Sequence, residues 1–333
     1  MKHNPVITGT GSYVPEKIMT NEELEKIVDT SDEWIRTRSG IEERRIAADD
    51  QSASDLGIEA GRAALEDADI SPDAIDLIIT ATATPDMAFP STACIIQDSL
   101  GISSAAAFDI SAACSGFVYA LSIAHSQIMA GVVENVLIVT TELLSRYLNW
   151  EDRTTCVLFG DGASSVVLSN RPGIEVGGID SIYIKADGEN SGILTLPAGG
   201  SANKLTPEFI KQKKHLLAME GKAVYKVAVR KMCSAAQRAV KRAQLDPDDI
   251  DWVICHQANL RIIDAVRKRL KLPEEKMIVN LQKYGNTSAA TIGLALDEAR
   301  RDGRVKAGDK IVFVALGAGI TWGASVITMP EDR

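Results

Sequence analysis

The stretch ALEDADISPDAIDLII, residues 64–79, returns as AVKRAQLDPDDIDWVI at residues 239–254, in one register and without a gap. Ala64/Ala239, Ala68/Ala243, Pro72/Pro247, Asp73/Asp248, Ile75/Ile250, Asp76/Asp251 and Ile79/Ile254 are identical. Each copy reads as the end of a helix, a Pro-Asp turn and a buried strand. The register continues downstream. SAACSGFVYALSIA (111–124) falls on NTSAATIGLALDEA (286–299), and VLIV (136–139) falls on IVFV (311–314). Three separated blocks at one spacing point to a duplicated β/α half, with boundaries near 1–170 and 171–333. Near-continuous apolar strands such as LIIT, VLIV, VICH and IVFVAL are buried on both faces and usually parallel, with helices covering them. The fold class is therefore α/β.

Composition narrows the function. The 333 residues suit two packed lobes, and 45% apolar with 24% charged residues is ordinary for a globular protein. A net charge of −9 argues against a nucleic-acid or membrane-surface binder as a whole. Five cysteines, widely spaced and without a C-x-x-C pair, fit reduced thiols in a cytoplasm and neither a disulfide framework nor a metal site. The start, MKHNPVITGTGSYVP, lacks the apolar run of a signal peptide. Ile311 to Met329 is long enough to span a membrane, but Gly317, Gly319 and Gly323 interrupt it. It reads as two buried strands joined by a glycine-containing turn.

Three residues carry candidate chemistry. Cys114 lies in FDISAACSGFVYAL at the start of a helical pattern, expected in the first turn, where free amides and the helix dipole lower a thiol pKa. On that stretch alone, a small buried hydrophobe is the slightly better reading. Cys94, Cys156, Cys233 and Cys255 read as structural. His256 follows a strand at the position matching Ala81, and Asn286 falls opposite Ser111 in the repeat register. Asn286 can also cap the helix that follows. Active sites in open α/β sheets gather at the carboxyl ends of strands, so the duplication would bring all three to one cleft. A thiolate can hold an acyl group, while a neutral His and an Asn amide can donate to a developing oxyanion. The same set occurs in papain-type proteases.

Further stretches, TSDEWIRTRSGIEER, AFPSTACIIQ, AACSGFVYAL, FGDGAS, HQANLRI, YGNTSAA and GAGITWGAS, closely resemble the β-ketoacyl-acyl-carrier-protein synthase III family, nearly end to end. The resemblance implies a thiolase-like fold with layered αβαβα architecture. It implies an acyltransferase that initiates type II fatty acid synthesis. An acyl group from coenzyme A is loaded on Cys114, and malonyl-acyl carrier protein then condenses with it after losing CO2. His256 and Asn286 would stabilise the enolate. The Cys114 amide and one from Gly317–Gly319 would hold the acyl oxyanion. Coenzyme A would meet Trp34, Arg38, Arg153, Lys222, Asn259 and Gly319, with the adenine between indole and guanidinium, and Phe89 would bind substrate by reaching toward the partner subunit's acyl pocket. An acidic carrier protein would dock on Gln257, Ala258, Asn259, Leu260, Arg261, Lys268 and Arg269. The resemblance implies no metal or cofactor, coenzyme A thioester being a substrate, and a homodimer. It implies no nucleic-acid or membrane partner. Leu316 stands where the family often has Phe. A relative priming a secondary metabolite and a non-catalytic acyl- or carrier-binding protein are the competing readings.

Overall fold

Two mixed sheets carry the chain, and each grows around one of the repeated strands. The computed structural model describes residues 3–331, so only the outermost ends of the two expected halves lie outside it. The first sheet runs β1 (Pro5–Tyr13), β5 (Asp161–Asn170), β4 (Asn135–Leu143), β2 (Leu77–Ala81) and β3 (Ala106–Ile110). Here β2 is parallel to β3 and β4, while β5 is antiparallel to β4 and β1. The second sheet runs β6 (Gly178–Ala186), β9 (Thr321–Thr328), β8 (Lys310–Gly317) and β7 (Trp252–Cys255). Only its β7–β8 pair is parallel. Set side by side, β1-β5-β4-β2 and β6-β9-β8-β7 match strand for strand. A single parallel bridge from Val253 to Met277 stands where β3 would be. The stretch 311–329 is the expected pair of buried strands. Its two strands are antiparallel, because an apolar run reports burial on both faces and not direction.

The repeated sequence has a structural cause. Helix α1 (Ala53–Ala68) ends at Asp69 with φ 50°, and helix α3 (Gly221–Arg242) is followed by Gln244 with φ 58°, the same register position. A short 3-10 turn opened by Pro72 or Pro247 follows in each copy, where a fixed φ and a missing N–H are harmless. Then comes the repeated aspartate. The Asp76 carboxylate accepts the amides of Glu134 and Asn135 at 2.8 and 2.9 Å. Asp251 accepts the amide of Lys310 at 2.8 Å. Each aspartate thus ties its strand to the parallel neighbour.

Helices α2 (Gly116–Met129) and α5 (Thr291–Arg301) fill the space between the sheets. Their shared core joins Ile79, Phe117 and Ile138 to Ile254, Leu296 and Phe313. The Phe117 and Phe313 rings meet edge to face, 5.4 Å apart at 86°. Burial of each ring contributes about 1.5–3 kcal/mol, and the edge contact about 0.5–1.5 kcal/mol more. Helix α1 packs on the outer face of the first sheet, and α3 and α4 (Leu260–Leu270) cover that of the second. The five layers α, β, α, β, α follow. Among the described residues no helix is long and apolar enough to cross a membrane.

Candidate active site

The two central helices are each preceded by the same strained turn. Ala113–Ser115 leads into α2, and Ser288–Ala290 leads into α5. Ala113 and Ser288, at matching register positions, both adopt left-handed backbone, with φ 45° and 49°. Each costs on the order of 1–3 kcal/mol, and such strain gathers at functional sites. The turns meet through small residues. A Cβ on Gly116 would stand 2.8 Å from the Ala81 Cβ and 3.2 Å from that of Ala289, the counterpart of Cys114.

Cys114 therefore sits one short turn ahead of the α-helix, where a place in its first turn was expected. The expected lowering of its pKa is not what its surroundings produce. Burial pushes the thiol up to about 12, and the nearby Glu142 adds to the rise. The Ser288 hydroxyl, which donates to Sγ at 3.4 Å, and the cysteine's own amide work in the opposite direction and are outweighed. Cys156, Cys233 and Cys255 are buried and Cys94 is exposed, and all four are unpaired.

His256 follows β7, its amide bound to Val314 O at 2.8 Å, and the ring is 3% exposed. Burial pushes the imidazole down to about 3, so it is neutral at pH 7. Its Nδ1 lies 2.8 Å from the Thr291 hydroxyl, which also reaches the Ser288 carbonyl at 3.0 Å. That hydroxyl has one proton to give. Given to Nδ1, it leaves Nε2 as a donor; given to Ser288, it leaves Nε2 as an acceptor. Asn286 accepts the Ser288 amide on Oδ1 at 2.8 Å, so it braces the turn. Among the described residues its amide nitrogen has no hydrogen-bond partner and is free to donate.

A third turn closes the cleft. A Cβ on Gly317 would lie 2.6 Å from Ala112 O and 2.7 Å from the Cys114 amide, so only glycine lets this backbone reach the sulfur's turn. Gly319 has φ 75°. Ser115 Oγ and Thr321 Oγ1 lie 2.8 Å apart and both meet the Ala112 carbonyl. Leu316 is buried beside Ile320 and Trp322.

The outer contacts expected from sequence fall into two groups. Arg38, Leu260, Arg261 and Lys268 line a cavity of ≈ 820 Å³ between the helix Asp32–Ser39 and α4. Arg269 is exposed on the same helix, and Ala258 is half-buried before it. Lys222 is exposed at the start of α3, and Phe89 is 84% exposed. Trp34 carries two guanidinium groups, Arg38 at 4.9 Å and Arg153 at 5.2 Å from the ring centre. A base between Trp34 and Arg153 needs about 7 Å, two contacts of about 3.5 Å, so Arg153 must release Asp29 and swing out. Asn259 is engaged already, its amide holding Arg38 O at 2.9 Å while its oxygen caps α4. Gln257 corrects the expected docking surface. It is 1% exposed and braces Cys255 O and the Asn280 amide, so it offers a partner no surface.

Sequence reasoning missed Ser288, Thr291 and Glu142. The last is fully buried in β4, with Oε2 accepting from the Ala83 amide and the Thr84 hydroxyl, each at 3.0 Å. Burial pushes its carboxyl up to about 7. An acidic residue inside the apolar run VLIVTTELL was the available signal, since carboxylates are seldom fully buried without a task. Among the described residues no three His, Cys, Asp or Glu side chains are grouped to hold a metal.

Residues 108–188 match the family 3-oxoacyl-[acyl-carrier-protein] synthase III, and residues 240–329 match its C-terminal part. The chain is 55% identical over 322 residues to the β-ketoacyl-[acyl-carrier-protein] synthase III of Caldanaerobacter subterraneus, covering 96% of each. It is 50% identical to that of Clostridioides difficile over 96% of this chain and 97% of the other. The crystal structure of the Aquifex aeolicus 3-oxoacyl-[acyl-carrier-protein] synthase III superposes with a TM-score of 0.90 at 46% identity, over 97% of this chain and 99% of that one. A duplicate-looking pair of strained turns bearing Cys114 and Asn286 thus sits in a chain that belongs to the β-ketoacyl-acyl-carrier-protein synthase III family, the thiolase-like acyltransferases that initiate fatty acid synthesis.

Proposed function

We propose that this chain loads an acyl group from acyl-coenzyme A onto Cys114 and condenses it with malonyl-acyl carrier protein. The observation that carries this reading is the meeting of the Cys114 turn and the Ser288 turn, to which Asn286 and, through Thr291, neutral His256 are hydrogen-bonded. In the first step Sγ bonds to the thioester carbonyl carbon and the coenzyme A sulfur leaves, taking up the thiol's proton. The Cys114 amide and the Gly317–Gly319 turn would hold the oxyanion. In the second, the malonyl C–C bond breaks to release CO2, and its electron pair passes to the thioester oxygen as an enolate. His256 Nε2 and the Asn286 amide would stabilise that charge, which requires the Thr291 proton on His256 Nδ1. The enolate carbon then attacks the acyl carbon, and Cys114 leaves as thiolate. No cofactor is called for, since coenzyme A enters as substrate.

Arg261, Lys268 and Arg269 give α4 an exposed basic face suited to an acidic carrier. In a chain of net charge −9, such a face would steer that partner. Trp34, Arg38 and Arg153 suit the adenine and phosphates, with Lys222 and Gly319 along the path to the sulfur. Exposed Phe89 suits an apolar contact with a second copy in a homodimer. Five unpaired thiols fit a reducing cytoplasm. The two halves, 1–170 and 171–333, are on this reading duplicates of one ancestor. Intact-protein mass spectrometry after mixing with acetyl-coenzyme A and longer primers tests the loading step. One acyl adduct is expected, absent in Cys114→Ala and discharged by malonyl-carrier protein. No adduct with any primer would overturn the proposal.

A further inference from the structure

The thiol that must become a nucleophile is buried, and no protein group so far described holds its proton before the coenzyme A sulfur takes it up. His256 is neutral, and its Nδ1 is engaged with Thr291. Against the sulfur stands Ser288, whose hydroxyl contacts Sγ at 3.4 Å. Behind Ser288 lies Glu142. Its Oε2 is held by Ala83 and Thr84, while Oε1 makes no hydrogen bond of full geometry. The groups turned towards the carboxyl from the second half are the Ser288 hydroxyl and the Ala289 amide. The carboxyl's neighbours are mostly uncharged. Cys114 and Tyr147 are the titratable groups that feel its charge. On the adjoining strand, Gly162 lies opposite it and Asp161 one position on, turned to Ala47 and Ser145. Arg146, next to Tyr147, is turned to the backbone of Ala48, Asp49 and Gln51.

We infer that Glu142 stores the Cys114 proton during acyl loading, with Ser288 as the relay. The Ser288 hydroxyl, which donates to Sγ at rest, first rotates to donate to Glu142 Oε1; the S–H bond then breaks as its proton passes to Ser288 Oγ, and the Ser288 hydroxyl proton passes to Glu142 Oε1. The freed sulfur pair attacks the thioester carbonyl. When that carbonyl re-forms, the coenzyme A thiolate leaves and takes the stored proton back by the same route. One negative charge is moved within the pocket and no second charge is created there, which is what a desolvated site can support. Ser288 touches the reacting sulfur; Glu142 is a positioning residue that acts through it. The inference rests on the proposed loading of Cys114, but it can be tested without a primer.

The test is the rate of Cys114 alkylation by iodoacetamide between pH 5 and 9. In the unaltered chain the rate rises as Glu142 loses its proton near pH 7 and then levels off. In Glu142→Gln, which keeps shape and hydrogen-bonding capacity, the plateau is lost. The rate at pH 7 falls at least about tenfold, the effect of a one-unit rise in apparent thiol pKa, and keeps climbing to pH 9. Ser288→Ala, with the carboxyl intact but the route cut, gives the same profile. Thermal unfolding checks that each variant is folded, and Ser288→Ala carries the test if Glu142→Gln is not. A carboxylate that only repels the thiolate predicts the opposite sign: Glu142→Gln would alkylate faster at pH 7. That result, or an unchanged profile in both variants, overturns the inference. Loss of the plateau in a chain that takes no acyl group from coenzyme A supports the relay and overturns the loading reading alone.

Discussion

The Ala113–Ser115 turn and the Ser288–Ala290 turn share a backbone and differ in almost every side chain that matters. Where the first has Ser111, Ala113, Cys114 and Gly116, the second has Asn286, Ser288, Ala289 and Thr291; where the first has Ala81, the second has His256. Around the sulfur the first half keeps small groups, which let a thioester approach. The second half supplies the hydrogen-bonding groups and no nucleophile. On the proposed reading, a backbone that exists twice lets one copy seat the nucleophile and the other form its electrostatic wall. The strain at Ala113 and Ser288 is present in both turns.

The division of labour is broken most sharply at the sulfur. Cys114→Ala should lower condensation by at least about 10⁴-fold, as removal of a nucleophile does. It should leave release of CO2 from malonyl-carrier protein measurable, because the second-half groups are untouched; loss of both together would show that the halves do not divide the reaction. Next come His256→Ala and Asn286→Ala. Each should slow decarboxylation by about 10²–10³-fold, the worth of one oxyanion donor, while the acyl adduct still forms. The pH dependence has a definite sign. His256 titrates near 3 in the folded chain, below its ordinary 6.5. Its stabilising contribution is full above 6.5 and is lost as pH falls towards 3. Decarboxylation should therefore show no imidazole inflection between pH 5 and 8. A His256→Gln variant should lose less stability on acidification, read from denaturant midpoints. Glu142 has the reverse sign, since its pKa is raised to about 7 from an ordinary 4.5. The stability it contributes is full below 4.5 and is lost as pH rises through 7, so Glu142→Gln should flatten that window. Smaller again is Thr291→Val, which removes the hydroxyl that holds Nδ1 as an acceptor and so no longer fixes the proton on His256 Nε2. It should reduce decarboxylation about tenfold, with loading intact, and cost about 1–3 kcal/mol for the partner left unsatisfied.

Much of this frame could be read in the chain before any coordinates. The repeat located both helix–turn–strand units, since Pro72 and Pro247 mark turns and Asp76 and Asp251 tie strands by local rules. The pairing of His256 with Ala81, and of Asn286 with Ser111, was arithmetic on the register. Two kinds of fact stayed hidden. Strand direction in β8 and β9 is set by the Gly317–Thr321 turn, and apolar runs do not encode it. The state of Cys114 depends on total burial, which helix-end arguments on one segment do not count. The family resemblance puts Gln257 on the docking surface, yet its amide is spent bracing Cys255 and Asn280. Glu142 and Ser288 are close only because residues 146 positions apart converge on one sulfur.

The scaffold offers the smallest and sharpest test of the comparison, because there the halves should behave alike. Asp76 and Asp251 are each identical in the repeat and each tie a buried strand to its parallel neighbour. Both carboxylates lie near the surface, where solvent reduces the value of a charged hydrogen bond. Replacing either with Asn keeps an acceptor of nearly the same shape and removes the charge. Asp76→Asn should cost about 1 kcal/mol and Asp251→Asn somewhat less, since Asp76 accepts two amides where Asp251 accepts one. Denaturant midpoints should fall in that order with the slope unchanged, and turnover at a temperature where both variants are folded should match the unaltered chain. A loss of turnover in one variant alone would mean that the repeated aspartates no longer do the same work, and that divergence between the halves has reached the frame as well as the cleft.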